Sequence, residues 1–281
     1  MDMTAIITKL ENQSNANISY GSEDYVDEEG LLVCGKCNTR KQTKVSFNGN
    51  EYKPFCICKC EEEKMKAEEE ALKKREQIAR IEELRRSGFP DSEMKSFTFC
   101  KDDGANPKLS TVCKRYVDNF EEMKAKHKGL LLFGDVGTGK TFLGACIANA
   151  LIDKGYGCMV TSFSRISNTL SGTFEGKQDY IDKLNKFDLL VIDDLASERD
   201  TEYMNEIVMT IIDSRYRIGK PLIITTNLTS EELKNPADIK KQRVYSRLLE
   251  LCIPVEVKGA DRRKKKLMSD FAEFNEILGI K

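Results

Sequence analysis

The run Gly134-Asp135-Val136-Gly137-Thr138-Gly139-Lys140-Thr141 has the residue types and spacing of a phosphate cradle, G-x-x-x-x-G-K-[ST]. Its glycines let backbone N–H groups turn inward around phosphate oxygens, and the N-terminus of a following helix adds partial positive charge. Lys140 is placed to reach the β- and γ-phosphates of ATP, and the Thr141 hydroxyl to bind Mg²⁺. An apolar run, Leu130–Phe133, precedes the motif and a helical pattern follows it, which is the context it requires. Further along, the apolar run Leu189-Leu190-Val191-Ile192 ends in two carboxylates. Asp193 is positioned to hold Mg²⁺, and Asp194 to orient and deprotonate an attacking water. A third run, Pro221–Thr226, ends at Asn227, which fits two roles. It could hold that water beside the γ-phosphate, or be a turn-forming residue that caps the next helix, where Thr229/Ser230 followed by Glu231-Glu232 also looks like a cap. The chemistry of this set is binding and hydrolysis of ATP.

A second group reads as a metal site. Cys34-Gly35-Lys36-Cys37 is a C-x₂-C knuckle, followed by Cys56-Ile57-Cys58-Lys59-Cys60. Four thiolates bind Zn²⁺ tetrahedrally, and this cluster offers five. Cys34, Cys37, Cys58 and Cys60 are preferred, with Cys56 able to replace either late cysteine. Between the pairs, Asn48-Gly49-Asn50 is a hairpin turn signal flanked by Lys44–Phe47 and Glu51–Phe55, so a zinc ribbon fits. So short a segment has too small a core to fold without such a staple. His127, the one histidine, lies too far along the chain to join and reads as a surface residue. Cys100, Cys113, Cys146, Cys158 and Cys252 read as small core residues.

These groups need elements to position them. Leu130–Phe133, Cys158–Ser162, Leu189–Ile192, Pro221–Thr226 and Ile253–Val257 read as short buried strands. Helical patterns such as Thr141–Asp153 and Tyr203–Arg217 lie between them. Alternation of this kind predicts an α/β fold with a parallel sheet covered on both faces. Residues 61–86 are almost wholly charged, with Glu62/Lys66, Glu69/Lys73, Glu70/Lys74 and Glu76/Arg80 at i,i+4 spacing. Each such pair supports a helix by about 0.2–0.5 kcal/mol. The apolar stripe of Met65, Leu72, Ile78, Ile81 and Leu84 is thin, so this helix is either a solvated connector or a coiled-coil contact. Ser87-Gly88-Phe89-Pro90 should end it. The expected organisation is a flexible segment over 1–30, the zinc module over 31–60, the charged helix over 61–90 and the ATPase over 91–281.

The 281 residues are 40% hydrophobic and 32% charged, with a net charge of −1. The chain is no polycation, so any nucleic-acid contact must come from a local basic patch. There is no apolar run long enough to span a membrane and no secretory signal pattern at Met1–Tyr20, which points to a cytoplasmic protein.

P-loop, Asp-Asp run, Thr225-Thr226-Asn227 and then Arg243-Val244-Tyr245-Ser246-Arg247-Leu248 follow one another in an order that resembles AAA+ ATPases of the replication-initiator group, over residues 87–270. Ser87-Gly88-Phe89-Pro90, Asp102-Asp103-Gly104-Ala105-Asn106-Pro107 and Gly259-Ala260-Asp261-Arg262-Arg263-Lys264-Lys265, with the cysteine module before them, are similar to helicase loaders of the DnaC/DnaI type. The resemblance implies that Arg247 is an arginine finger reaching a neighbouring subunit's ATP site, with Arg243 a second arginine of that interface. It implies that Arg263 is the sensor arginine touching the γ-phosphate in cis, with Arg262 beside it fitting the same register. Lys264-Lys265-Lys266 is then a solvated helix face or a DNA-backbone contact. The implied partners are the hexameric replicative helicase, gripped by the zinc module, single-stranded DNA, and further copies of the chain in a homo-oligomer. The DNA surface would include Ser162–Thr169, with Arg165 for phosphate and Phe163 for base stacking unless it belongs to the core. ATP turnover is expected to be slow without DNA or helicase. Two other functions fit the same motifs: an IstB-like ATPase assisting a transposase, and an ATP-switched adaptor with negligible hydrolysis. The intact Lys140, Asp193 and Asp194 argue against the adaptor.

Overall fold

Short alternating runs near the N-terminus pair as two antiparallel ribbons. β1 (Tyr25–Val26) pairs with β2 (Leu32–Val33), and β3 (Val45–Phe47) with β4 (Asn50–Tyr52). The second ribbon is the hairpin that the Asn48-Gly49-Asn50 signal predicts, with Phe47 opposite Asn50. The structure, a computed structural model, describes residues 21–47, 49–172, 176–196, 201–236 and 238–280. It forms two compact units that divide between Gln77 and Ile78. The expectations for residues 1–20 lie outside the described residues.

The module boundaries differ from those read in the sequence. Residues 21–30 are not a loose approach: they carry β1 and are tied into the cysteine unit. Asp24 accepts from the Gly21 N–H and pairs with Lys41 at 2.6 Å, both side chains nearly buried. Asp27 Oδ1 accepts from the Glu29 and Leu31 N–H groups and so bends the chain between β1 and β2. These bonds involve short polar side chains, whose presence in the sequence reads equally well as disorder. The charged stretch forms one helix, α1 (Lys59–Gly88), and the Glu62–Lys66 and Glu69–Lys73 pairs close on it at 2.5 and 2.6 Å. It runs on to Gly88, where a Cβ would fall 2.2 Å from the Cys158 carbonyl oxygen. The absent side chain lets the last turn approach the strand edge, and the helix ends there, within the Ser87-Gly88-Phe89-Pro90 run expected to stop it.

Beyond two short 3₁₀ turns (Met94–Ser96, Phe99–Lys101), the second unit continues with α2 (Pro107–Asp118) and α3 (Phe120–Ala125). Then strands and helices alternate: β5 (Gly129–Phe133), α4 (Lys140–Asp153), β6 (Cys158–Ser162), α5 (Phe163–Gly172), α6 (Lys177–Lys186), β7 (Leu189–Leu195) and α7 (Glu202–Ile218). The chain closes with β8 (Leu222–Thr226), α8 (Ser230–Lys234), α9 (Ile239–Leu251), β9 (Cys252–Glu256) and α10 (Arg262–Leu278). The five strands form one sheet in the order β6-β7-β8-β5-β9, and every neighbouring pair is parallel. The α/β expectation is met.

Each central strand is apolar on both sides because both faces of the sheet are covered. Leu130, Leu132 and Val191 face a core that includes Cys113, Tyr116, Phe120, Leu143 and Leu151. Leu131, Leu190 and Ile192 face the opposite core, with Phe163, Ile166, Ile207, Ile211 and Leu248. The fully buried Arg215 of α7 secures the N-terminal end of the sheet by donating to the carbonyls of Phe187, Asp188 and Pro221. Burial pulls its pKa down to about 10. With all strands parallel, the C-terminal ends of β5, β7 and β8 gather at the other end, where ligands of such sheets bind.

Candidate nucleotide site and cysteine cluster

The loop from Gly134 to Gly139 joins β5 to α4. Gly137 and Gly139 sit at φ +78° and +94°, a conformation that a side chain would strain. Thr138 Oγ1 donates back to the Asp135 carbonyl at 2.8 Å and closes the turn. α4 begins at Lys140, which is buried, and its Nζ donates to the Gly134 and Asp135 carbonyls at 2.8 and 2.7 Å. The ammonium thus lies folded against the loop. Burial lowers its pKa, and the charges of Asp194, Asp193 and Asp135 oppose that shift.

Asp193 is the hub of the site. Thr141 Oγ1 lies 2.8 and 2.9 Å from its two carboxylate oxygens, and Thr225 Oγ1 donates to Oδ1 at 2.5 Å. Burial raises the Asp193 pKa, while the Thr225 and Thr141 hydroxyls counter it by bonding the ionised form. Oxygen ligands at one point, a carboxylate and a hydroxyl beside a lysine, are the donor set a hard cation such as Mg²⁺ takes. The next residue, Asp194, has φ +58°, and its N–H donates to Thr225 Oγ1 at 2.9 Å. Pairing of β7 with β8 slips between Ile192 and Leu195, so a bulge re-aims the strand tip at this carboxylate. Positive φ at a non-glycine strand end is strain, and strain of this kind concentrates at functional sites. Thr226 Oγ1 donates to the Leu195 carbonyl and fixes the two tips together. Sequence reading missed these roles for Thr225 and Thr226. The available signal was two threonines closing an otherwise aliphatic strand.

Asn227 follows β8 directly and is exposed. The cap that competed for it is made elsewhere: Thr229 and Glu232 form a reciprocal capping box at the start of α8. From the far side, β9 returns the chain to the loop. The Arg262 N–H donates to the Gly137 carbonyl at 2.9 Å, and the Arg263 N–H donates to Asp261 Oδ1 at 3.0 Å. The two adjacent arginines differ in surroundings. Arg263 contributes to the field at Lys140, whereas Arg262 pairs with Asp102 and Asp103.

Arg247 and Arg243 stay outside this set, on α9 against α7. Arg247 Nη1 pairs with Asp213 Oδ1 at 2.9 Å. Arg243 lines a cavity of about 440 Å³ with Leu195, Ala196, Met204 and Val208. Of the two readings of Phe163, the structure takes the core one: it is 0% exposed and packs with Ile166, so it is not available for base stacking, while Arg165 is exposed. One expectation needs correction: Cys100 is exposed rather than a core residue, unlike Cys113, Cys146, Cys158 and Cys252. His127 is exposed, as expected.

In the first unit, Cys34, Cys37, Cys58 and Cys60 bring their sulfurs within 4.8 Å of one another. Cys60 Sγ lies 3.5 Å from Cys34 Sγ and 3.3 Å from Cys58 Sγ, close to the edge of about 3.8 Å in a tetrahedron with Zn–S bonds near 2.3 Å. Cys56 is apart: it is exposed and its thiol donates to the Arg40 carbonyl. The four thiols do not share an environment. The Thr39 hydroxyl, 2.9 Å from Cys37 Sγ, helps draw that thiol down to about 5, while Cys60, crowded first by Cys58 and then by Cys34, is pushed up to about 12. Four thiolates cannot all ionise so close together without a cation, so the donor set fits zinc. Among the described residues no helix is long and apolar enough to cross a membrane.

Residues 59–269 match the family described as IstB-like ATP binding protein. The chain is similar to the replicative helicase loader DnaI of Bacillus subtilis, 25% identical over 205 residues that span 68% of this chain and 66% of that protein. It is also similar to the replicative helicase loader DnaC of Escherichia coli K12, 28% identical over 124 residues, 43% of this chain and 49% of that one. The matched stretch therefore spans less than two thirds of the length of these relatives. A crystal structure of DnaI superposes with a TM-score of 0.54 at 24% identity, covering 64% of this chain and 98% of that chain. That likeness is one of fold, a parallel α/β sheet covered by helices.

Proposed function

Because the chain belongs to the IstB-like ATP-binding family, we propose that it is an ATPase that loads a replicative DNA helicase onto single-stranded DNA. The observation that carries the ATPase reading is the bonded set at the strand tips: Lys140 in the loop, Asp193 held by Thr141 and Thr225, and Asp194 at the bulge that follows. Thr141 and Asp193 would hold Mg²⁺, which when bound neutralises charge on the phosphate oxygens. Lys140 leaves the two loop carbonyls and bonds the β- and γ-phosphates. Asp194 accepts the proton of the attacking water at its carboxylate, and the Asn227 amide orients that water. Arg263 faces the γ-phosphate in cis. Arg247 exchanges Asp213 for the site of a neighbouring copy, where its guanidinium offsets the charge developing on the transferred group.

The loading reading extends to this chain what its relatives DnaI and DnaC are named for. In it, a zinc-stapled unit held by Cys34, Cys37, Cys58 and Cys60 grips the helicase. The ATPase unit carries the DNA contact, with Arg165 exposed at the start of α5 to meet phosphate. Assembly with further copies, a cytoplasmic setting and slow basal turnover belong to the same proposal. The test is ATP turnover with and without single-stranded DNA, together with co-purification against candidate replicative helicases. DNA should raise turnover, and Lys140→Ala should abolish nucleotide binding. Unchanged nucleotide affinity in that variant defeats the P-loop assignment. Intact ATPase activity with no helicase retained would leave the enzyme and remove the loader.

A further inference from the structure

One small polar residue ties the cysteine unit together. Thr39 follows the Cys34-Gly35-Lys36-Cys37 knuckle by two positions. Its carbonyl accepts the Cys34 N–H at 2.9 Å, and the Asn38 N–H donates to the Cys34 carbonyl at 2.9 Å, so the knuckle closes on itself. Its hydroxyl oxygen accepts the Lys59 N–H at 3.1 Å and lies 2.9 Å from Cys37 Sγ. Lys59 opens α1 and stands between Cys58 and Cys60. The side chain of Thr39 therefore meets both halves of the ligand set.

The chain around it keeps these halves in register. Gln42 bridges to Phe55 in the antiparallel sense, and the Cys56 N–H and thiol donate to the Lys41 and Arg40 carbonyls. Residues 39–42 thus lie along 55–59, with Thr39 at the end where Cys58 and Cys60 follow. A threonine hydroxyl has a single hydrogen. Its oxygen already accepts from Lys59, and a metal-bound thiolate has no hydrogen to give. In the filled site the bond therefore runs from the Thr39 hydroxyl to the Cys37 sulfur.

We propose that Thr39 is a positioning residue of the zinc site: its hydroxyl bonds the Cys37 thiolate and its oxygen holds the first amide of α1, and together these set how firmly the metal is kept. This rests on the zinc reading of the four cysteines. Four thiolates carry more negative charge than one Zn²⁺ cancels, so a donor at a sulfur stabilises the filled site. Partners of this kind fix the direction of a ligand and tune the metal it binds. The second bond matters equally, because Cys58 and Cys60 flank the amide that Thr39 holds.

Thr39→Val keeps the shape and removes both bonds, while Thr39→Ser keeps both. In the full chain, Thr39→Val should hold zinc about 10- to 100-fold more weakly in competition with a chromogenic chelator, the range for a lost outer partner of a ligand. Thr39→Ser should restore the affinity. Replacing zinc with Co²⁺ adds a thiolate-to-metal charge-transfer band. Loss of the donor raises the energy of the sulfur electrons, so the band should move to longer wavelength in Thr39→Val and return in Thr39→Ser. A residue that only packed would leave the band in place. Circular dichroism with metal in excess shows that each variant is folded, and Thr39→Ala, which lacks the same two bonds, replaces Thr39→Val if that chain fails to fold. Wild-type retention in Thr39→Val, an unmoved band, or an equal loss in Thr39→Ser overturns the proposal. A wild-type chain without zinc defeats the zinc reading itself, so the two failures are distinct.

Discussion

Thr225 is the residue whose removal should reveal how Asp193 is kept charged. Its side chain is fully buried and does two things at once: it donates to Asp193 Oδ1 at 2.5 Å and accepts the Asp194 N–H at 2.9 Å. Thr225→Val keeps the shape and removes both. A hydrogen bond to a charged group contributes about 1.5–3 kcal/mol, and a buried donor left unpaired costs about 1–3 kcal/mol. Asp194 lies at a strand tip where water can reach it, so the first term dominates and about 2 kcal/mol is expected in total. At about 2–4 °C per kcal/mol for a unit of this size, the melting temperature should fall by about 4–8 °C at neutral pH. The loss has a pH signature. Burial already raises the Asp193 pKa, and a carboxyl raised in the folded state contributes stability below its unfolded value that is lost as pH rises through its folded value. Removing the hydroxyl raises that pKa further. The gap between wild type and variant should therefore be small in acid, where Asp193 is protonated in both, widen as pH rises from the wild type's raised native value to the variant's still higher one, and then stay level. Thr225→Ser should restore the bond and most of the stability. Thermal melts from pH 4 to 8 check this, and a deficit independent of pH, or equal in the Ser and Val variants, refutes the reasoning.

Three further outcomes follow from the geometry. Asp194→Asn keeps the size of the side chain and loses the base, so ATP should bind with wild-type affinity and turn over slowly; single-turnover kinetics alongside nucleotide titration would expose a wrong assignment as normal turnover. Protein purified without chelators should carry a single zinc, retained by Cys56→Ser and lost from Cys58→Ser, with residues 21–58 losing structure on chelation; elemental analysis and circular dichroism read this, and metal loss in both variants would return Cys56 to the ligand set. Arg247→Ala should leave ATP affinity intact and lower turnover by about tenfold or more, against 10³–10⁵ in the best-studied trans-acting arginines. Mixing it with Asp194→Asn should recover part of the rate, and normal hydrolysis by Arg247→Ala in the assembled state would pass the role to Arg243.

The parts legible in the sequence were those encoded by periodicity or by a rigid motif. Leu130–Phe133 and Leu189–Ile192 are apolar at every position because parallel strands are buried on both faces, and few arrangements besides a covered parallel sheet produce such runs. The P-loop is legible because its glycines and lysine serve backbone geometry that other residues cannot supply. What stayed hidden depends on which side chains meet across distance. Nothing local marks Thr225 as the partner of Asp193, or separates Arg262 from Arg263; only the return of β9 to the loop does so. Residues 21–30 hid for a different reason. Asp24 and Asp27 look like disorder in composition, yet each satisfies backbone N–H groups and a cation, Lys41 or Arg40, in a unit whose core is largely Leu31, Leu32, Val33 and the thiols. In so small a core, polar bonds and thiol ligands do the positioning that apolar area does in the sheet, and hydrophobic pattern is silent about both. Phe163 fitted either base stacking or the core by type alone, and only the packing decides: α5 starts at this residue and its ring is buried with Ile166, where aromatic area is worth most.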